Sequence, residues 1–218
     1  MILSIDTTSD FGSLALVDSR GVVSEVLLHS PEGFGHILFA QVARLLESND
    51  VRVQDLTGFA AAAGPGSFTG VRIGLTAVKG LAEVCGKRVA AVSNLQALAY
   101  FGSAELRATV LDARRGEVYG AVYDRELNLR APEVVMKFPD WLKTLPEGDI
   151  ELISTNPSAF AASAGDLRIV IAPRGLAGAV GVIAQRRFER GETSDPADVD
   201  ANYIRKSDAE LLTPQVTR

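Results

Sequence analysis

The chain is poor in the residues that most often carry chemistry. It has one cysteine, Cys85, and two histidines, His29 and His36. A single thiol excludes an intramolecular disulfide and suits a reducing compartment. Cys85 stands on the apolar side of a helical pattern with no His or acid at a recognised spacing, so it reads as a buried, inert thiol. Ala40 stands four positions after His36, so no HxxxH pair forms on one helical face, and no metal site is expected. No GxSxG or Ser/His/Asp signature supports a hydrolytic nucleophile. Positive charge is not in excess: 22 Lys and Arg stand against 27 Asp and Glu, so no overall basic field draws in nucleic acid. No apolar run approaches the roughly 20 residues that span a bilayer. The opening MILSIDTTSD has no basic segment and reaches Asp6 too soon for a signal peptide. A cytoplasmic protein with no membrane contact is the expectation.

What is present is an apolar, globular composition in a chain long enough for one large domain or two small ones. Met1–Asp6, Ser13–Val17 and Val22–His29 read as strands, the last two joined by the turn Asp18-Ser19-Arg20-Gly21. His36–Ser48 has helical periodicity and is apolar over more than half its circumference. Gly58–Ala63 reads as a buried strand. It is followed by Gly64-Pro65-Gly66-Ser67-Phe68-Thr69-Gly70, a run that can only be a tight connection. Ser67 or Thr69 is placed to cap a helix starting near Gly70 and ending at Cys85. Arg72, Thr76, Lys79 and Glu83 form one narrow polar stripe on that helix. The rest is apolar, and Gly70, Gly74 and Gly80 leave room for a second backbone. Arg88–Val92 and Asn94–Phe101 continue as strand and helix.

A second unit begins near Leu106, with strands at Ala108–Leu111, Glu117–Tyr123, Val134–Lys137, Ile150–Ser154 and Leu167–Ala172. Asp140–Thr144 reads as a short helix, and Leu176–Arg190 as a helix with Ala and Gly on its packing side. The acidic stretch 191–200 reads as a linker, and ANYIRKSDAELL as a segment that docks back on the body. A meander followed by alternating helix and strand, partly repeated, predicts a mixed α/β protein of two related subdomains.

Two motifs bear on ligands. The Gly64–Gly70 run follows a strand and opens a helix, so its N–H groups could hold an anion. It is neither a Walker loop nor a dinucleotide fingerprint, and a tight turn that sets helix packing explains it as well. Asp6-Thr7-Thr8 at the end of the first strand could serve a metal–phosphate group, or be a plain Asp/Thr turn. The possible nucleotide or anion contacts are therefore Asp6, Thr7, Thr8, Gly64, Gly66 and Ser67. Arg114 and Arg115 sit at a hairpin tip, where Asp112 and Glu117 are expected to neutralise them.

Ile5-Asp6-Thr7-Thr8, GPGSFTGVRIG over 64–74, DARRGEVY over 112–119 and Tyr203-Ile204-Arg205 occur in that order. Together they resemble the TsaB (YeaZ) family, bacterial subunits for threonylcarbamoyl-adenosine synthesis on tRNA. The resemblance covers nearly the whole chain. It departs from the family's pattern in the first helix, with Phe39 where Pro is usual and a displaced His36. It implies an actin/Hsp70-like (ASKHA, RNase H-like) fold of two subdomains, the second degenerate. The subdomains are expected at 1–104, joined by 196–218, and at 105–195. It also implies a non-catalytic scaffold that pairs with the catalytic subunit TsaD, recruits the ATPase TsaE and meets tRNA only through the complex. Any ATP or ADP would belong to the complex rather than to this chain. A superfamily kinase or a metallopeptidase-like protein are the alternatives.

On that reading the helices 36–48 and 70–85 carry the interface: Ile37, Leu38, Gln41, Val42 and Leu45 from the first, and Gly70, Arg72, Ile73, Gly74, Ala77, Val78 and Leu81 from the second. The same surface is expected to make a homodimer when TsaD is absent. Replacing Gly74 with Leu is expected to block pairing and leave a folded chain.

Overall fold

Residues 1–205 are described by a computed structural model. The Val-, Ile- and Leu-rich runs of the N-terminal segment form a meander of β1 (Ile2–Asp6), β2 (Phe11–Asp18) and β3 (Gly21–His29). After α1 (Leu38–Glu47) come β4 (Gly58–Ala62), α2 (Phe68–Cys85), β5 (Arg88–Val92) and α3 (Asn94–Ala99). The second half repeats the plan with β6 (Leu106–Arg114), β7 (Glu117–Tyr123), β8 (Leu129–Lys137), α4 (Phe138–Leu142), β9 (Ile150–Ser154), β10 (Arg168–Ile171) and α5 (Ala177–Glu189).

The strand order is β3-β2-β1-β4-β5 in one sheet and β8-β7-β6-β9-β10 in the other. In each, the first strand is central, with an antiparallel meander on one side and two parallel strands on the other. This duplicated mixed sheet is the actin/Hsp70-like (ASKHA, RNase H-like) fold.

The period of two along each strand sorts its side chains between layers. Leu3 and Ile5 of β1 face α1 and α2, while Ile2 faces the opposite core with α3 and α5. The outer face of the second sheet buries Val110, Val118 and Leu152 against Phe138, Trp141 and Phe160.

Strands β1–β5 come from 1–104 and β6–β10 from 105–195, but the helices do not follow that division. Helix α3 packs on β6, β7 and β9 of the second sheet, and α5 packs on β1, β2, β4 and β5 of the first. Both helices lie between the sheets, so each half covers part of the other. Helix α5 can sit this low because Gly181 faces Val17 and Ser4, where a Cβ would lie 2.8 Å from the Ser4 hydroxyl.

Other boundaries shift for local reasons. Helix α2 starts at Phe68 rather than near Gly70, because Ser67 Oγ accepts from the Gly70 N–H at 3.3 Å and so caps it. Helix α1 starts at Leu38 with no capping side chain, which leaves His36 outside it. Strand β8 runs from Leu129, longer than Val134–Lys137, because it pairs with β7 over its length. Cys85 is half-buried at the edge of the α1–α2 core rather than fully enclosed. The stretch 191–200 is docked, not a free linker. Ser194 and Val89 exchange backbone hydrogen bonds at 2.9 and 3.0 Å, and Lys79 Nζ donates to the Val199 carbonyl at 2.8 Å. The docking of ANYIRKSDAELL can be followed through Arg205; its remainder lies outside the described residues. Among the described residues no helix is long and apolar enough to cross a membrane.

Candidate functional site

The end of β1 and the 64–70 connection meet at the mouth of a cleft of about 300 Å³ between the two sheets. Of the six residues expected as anion contacts, Asp6, Thr8, Gly66 and Ser67 line it while Thr7 and Gly64 do not, and most of their polar groups are engaged within the chain. Buried Asp6 accepts from the Thr8 amide at 3.0 Å, from the Thr8 hydroxyl at 2.6 Å and from the Leu176 amide at 3.1 Å. Burial pushes its carboxyl above the usual aspartate value, and these donors oppose the shift. The Ser67 amide donates to the Thr8 carbonyl at 2.7 Å, and the Gly64 amide to Asn94 Oδ1 at 3.2 Å. The Thr7 hydroxyl donates to the Gly70 carbonyl at 2.7 Å.

The N-terminus of α5, aimed at the same region, is also occupied. Asp6 takes the Leu176 N–H, Ser13 Oγ the Ala177 N–H at 2.8 Å and Glu25 the Gly178 N–H at 2.9 Å. Three strands thus supply the acceptors that an anion would otherwise provide. The sequence gives no local sign of Asn94, Ser13 or Glu25 in this role, since each is far along the chain from what it binds.

The twelve residues expected at a partner face divide by burial. Leu38, Val42, Leu45, Gly70, Gly74, Ala77 and Val78 are buried within the chain; Ile37, Gln41, Ile73 and Leu81 are half-buried, and Arg72 is exposed. The glycines do admit a close backbone, but it is the chain's own. A Cβ at Gly74 would lie 2.7 Å from the Thr7 hydroxyl, and Gly70 abuts the Thr7 carbonyl. Gly74→Leu therefore strikes β1's own end, and the expectation that it leaves the fold intact is corrected. Only Gly80 of the three has open space around it.

What α1 and α2 leave open is a groove of about 490 Å³ lined by Leu38, Phe39, Phe68, Arg72, Ile73 and Ala77. Phe39 is 57% and Phe68 43% exposed. Periodicity marks neither ring, because Phe39 lies off the stripe that faces the sheet and Phe68 precedes the helix start expected near Gly70.

On one side of this groove, Arg72 stacks on Phe68 with its guanidinium carbon 3.7 Å from the ring centroid, and its Nε donates to the Tyr203 hydroxyl at 3.1 Å. Arg205 donates to the Ala113 carbonyl at 3.0 Å and pairs with Glu117. Asp112 accepts from the backbone N–H of Arg114 at 2.7 Å. Glu117 is thus shared with Arg205, and Asp112 also holds the backbone of the turn. Asn202 joins the halves. Its amide donates to the Ala63 carbonyl at 2.8 Å and its side chain to Glu133 at 2.6 Å.

The surroundings of this architecture are shared with known proteins. A family profile described as TsaD, tRNA N6-adenosine threonylcarbamoyltransferase, matches residues 32–168. A curated tRNA N6-adenosine threonylcarbamoyltransferase of Nitrobacter winogradskyi is 34% identical over 117 residues, covering 44% of this chain and 33% of that protein. The structure titled YeaZ from Pseudomonas aeruginosa superposes with a TM-score of 0.77 at 25% identity, over 93% of this chain and 98% of that one. The tRNA threonylcarbamoyladenosine biosynthesis protein TsaB of Bacillus subtilis is 32% identical over 225 residues, 96% of each chain. With the resemblance end to end in sequence and in fold, the chain belongs to the TsaB (YeaZ) family of tRNA threonylcarbamoyladenosine biosynthesis proteins.

Proposed function

We propose that this chain is the non-catalytic accessory subunit of a tRNA threonylcarbamoyltransferase complex. It pairs with and activates a TsaD-type subunit through the groove between α1 and α2, recruits the ATPase TsaE, and forms a homodimer through the same face when alone. The observation that carries the reading is the pair of exposed rings, Phe39 and Phe68, flanking the half-buried Ile73. Apolar surface gathered this way on two helices marks an interaction site. A partner helix laid into the groove would cover Ile37, Ile73 and Leu81 with the rings and leave Arg72 at the rim.

The accessory role is supported by the state of Asp6. The carboxylate a superfamily kinase would aim at a metal–phosphate group is held by three donors of its own chain. Asp6, Thr7, Thr8, Gly64 and Ser67 accordingly form an internal lock, and any ATP or ADP would belong to the complex. A metallopeptidase would need paired ligating histidines, and His29 and His36 do not form such a pair.

The test is Phe39→Asp, with pairing to a TsaD-type subunit followed by size-exclusion chromatography and titration calorimetry. Burying a phenylalanine contributes about 1.5–3 kcal/mol, so pairing is expected to weaken by at least tenfold at an unchanged thermal midpoint. Pairing at wild-type affinity would place the interface elsewhere.

A further inference from the structure

We propose that a second groove, between α2, the β6–β7 hairpin and the 202–205 segment, binds single-stranded RNA. The choice of RNA rests on the family reading above; the site itself rests on geometry. The groove has a volume of about 800 Å³, and Arg72, Arg114, Arg205, Phe68, Tyr119 and Tyr203 line it. No Asp or Glu is among its described lining residues. Arg205 is already paired with Glu117, but Arg72 and Arg114 make no ion pair among the described residues, and in a chain with a net charge of −5 these two guanidiniums in one groove favour a polyanion.

The rings decide which polyanion. Tyr203 is 44% exposed and packs at 5.5 Å on Phe68, whose position is fixed by Arg72. Arg205 lies 5.8 Å from the centre of the Tyr119 ring. Rings held in place beside guanidiniums are what unpaired bases stack on while phosphates meet the arginine forks. An acidic peptide would use the charge but not the rings.

The hairpin gives an independent indication. Arg114 and Arg115 have φ of 65° and 56°, followed by Gly116 at 75°. Left-handed backbone at two consecutive non-glycine residues is strained, and Asn or Gly would relieve it. Arginine kept at this cost points to a use for its side chain. The Arg114 guanidinium makes no ion pair or hydrogen bond among the described residues and faces the groove.

The test measures anisotropy of a labelled RNA hairpin with an unpaired, adenosine-containing loop, using the full chain alone and in complex with a TsaD-type subunit. Arg114→Gly is expected to hold or raise the thermal midpoint, because glycine suits the left-handed position. It should weaken RNA binding several-fold and lower the salt slope by about one. Tyr203→Ala is expected to weaken binding about tenfold and leave the salt slope unchanged. Arg114→Gly should pair with the TsaD-type subunit as wild type does, since Arg114 lies outside the α1–α2 groove. No RNA binding by wild-type chain or complex, equal binding by both variants, or displacement of the RNA by poly-L-glutamate at matched charge would each overturn the proposal, the last in favour of an acidic peptide. Loss of pairing in Phe39→Asp with RNA binding intact bears on the pairing face alone.

Discussion

Thr7 and Gly74 are in contact across the first turns of α2, so close that a Cβ on Gly74 would lie 2.7 Å from the Thr7 hydroxyl. That hydroxyl is fixed from the other side, donating to the Gly70 carbonyl at 2.7 Å. The helix proposed to face a partner is thereby clamped to the strand end that shapes the inter-sheet cleft.

From this contact, Gly74→Leu should destabilise the isolated chain. Overpacking a filled site costs about 1–3 kcal/mol, more where backbone must move. Gly80→Ala should do the opposite, since nothing lies within 4 Å of a Cβ there and alanine in a helix interior is favoured over glycine by about 1 kcal/mol. Urea denaturation of both variants checks the pair. A Gly74→Leu chain as stable as wild type would contradict the packing described.

Glu133 is the point where the two halves are tied. It accepts from the Tyr123 hydroxyl at 2.6 Å, from the Ser93 hydroxyl, and from Asn202 Nδ2 at 2.6 Å. Glu133→Ala leaves these donors without their acceptor, a loss of about 1–3 kcal/mol for each one that water cannot reach. Amide exchange at Asn202 should accelerate, because that amide is held to Ala63 only while the segment stays down. Burial and the Glu133 charge both raise the Tyr123 pKa, so the variant should also bring the phenol back toward its usual range, read by ultraviolet titration. Unchanged exchange at Asn202 would show that the tie is made elsewhere.

Asp6 sets a pH dependence with a definite sign. Its pKa in the folded chain is raised above the ordinary 3.8, chiefly by burial. Between those two values the folded chain binds more protons than the unfolded one, so this group's contribution to stability falls as pH rises through the window. Exposed Asp18 and Asp55 are shifted down and act in the opposite direction at lower pH, so the variant-minus-wild-type difference is the quantity to follow. Asp6→Asn should remove the fall. It should also lower stability by about 1–3 kcal/mol throughout, because its amide opposes the Leu176 N–H. Urea midpoints across the acidic range test both parts, and parallel curves for the two proteins would refute the first.

Much of this protein is legible along the chain because the physics involved is local. Val, Ile and Leu recur in short runs through β1–β3, the 64–70 run admits only a turn, and Ser67 stands where a cap is needed. The 64–74 motif is a specific part of the family resemblance, and Gly66, Gly70 and Gly74 in it each meet a close contact with Thr7 or Thr8. The converging anion-like residues Asp6, Thr8 and Ser67 are also marked in sequence, as turn and cap formers. Whether they point outward to a ligand or inward to one another is not, because Leu176 and Asn94 arrive from distant parts of the chain.

The sequence by itself thus determined the order and kind of the elements, the tight loop and the family, all of which depend on neighbours within a few residues. The tertiary structure alone decided that α3 covers the second sheet and α5 the first, that Gly70 and Gly74 yield to Thr7, and that Glu117 turns to Arg205. A helix's periodicity states how much surface it must bury, not against what. The answer comes only when both sheets are present to compete for it.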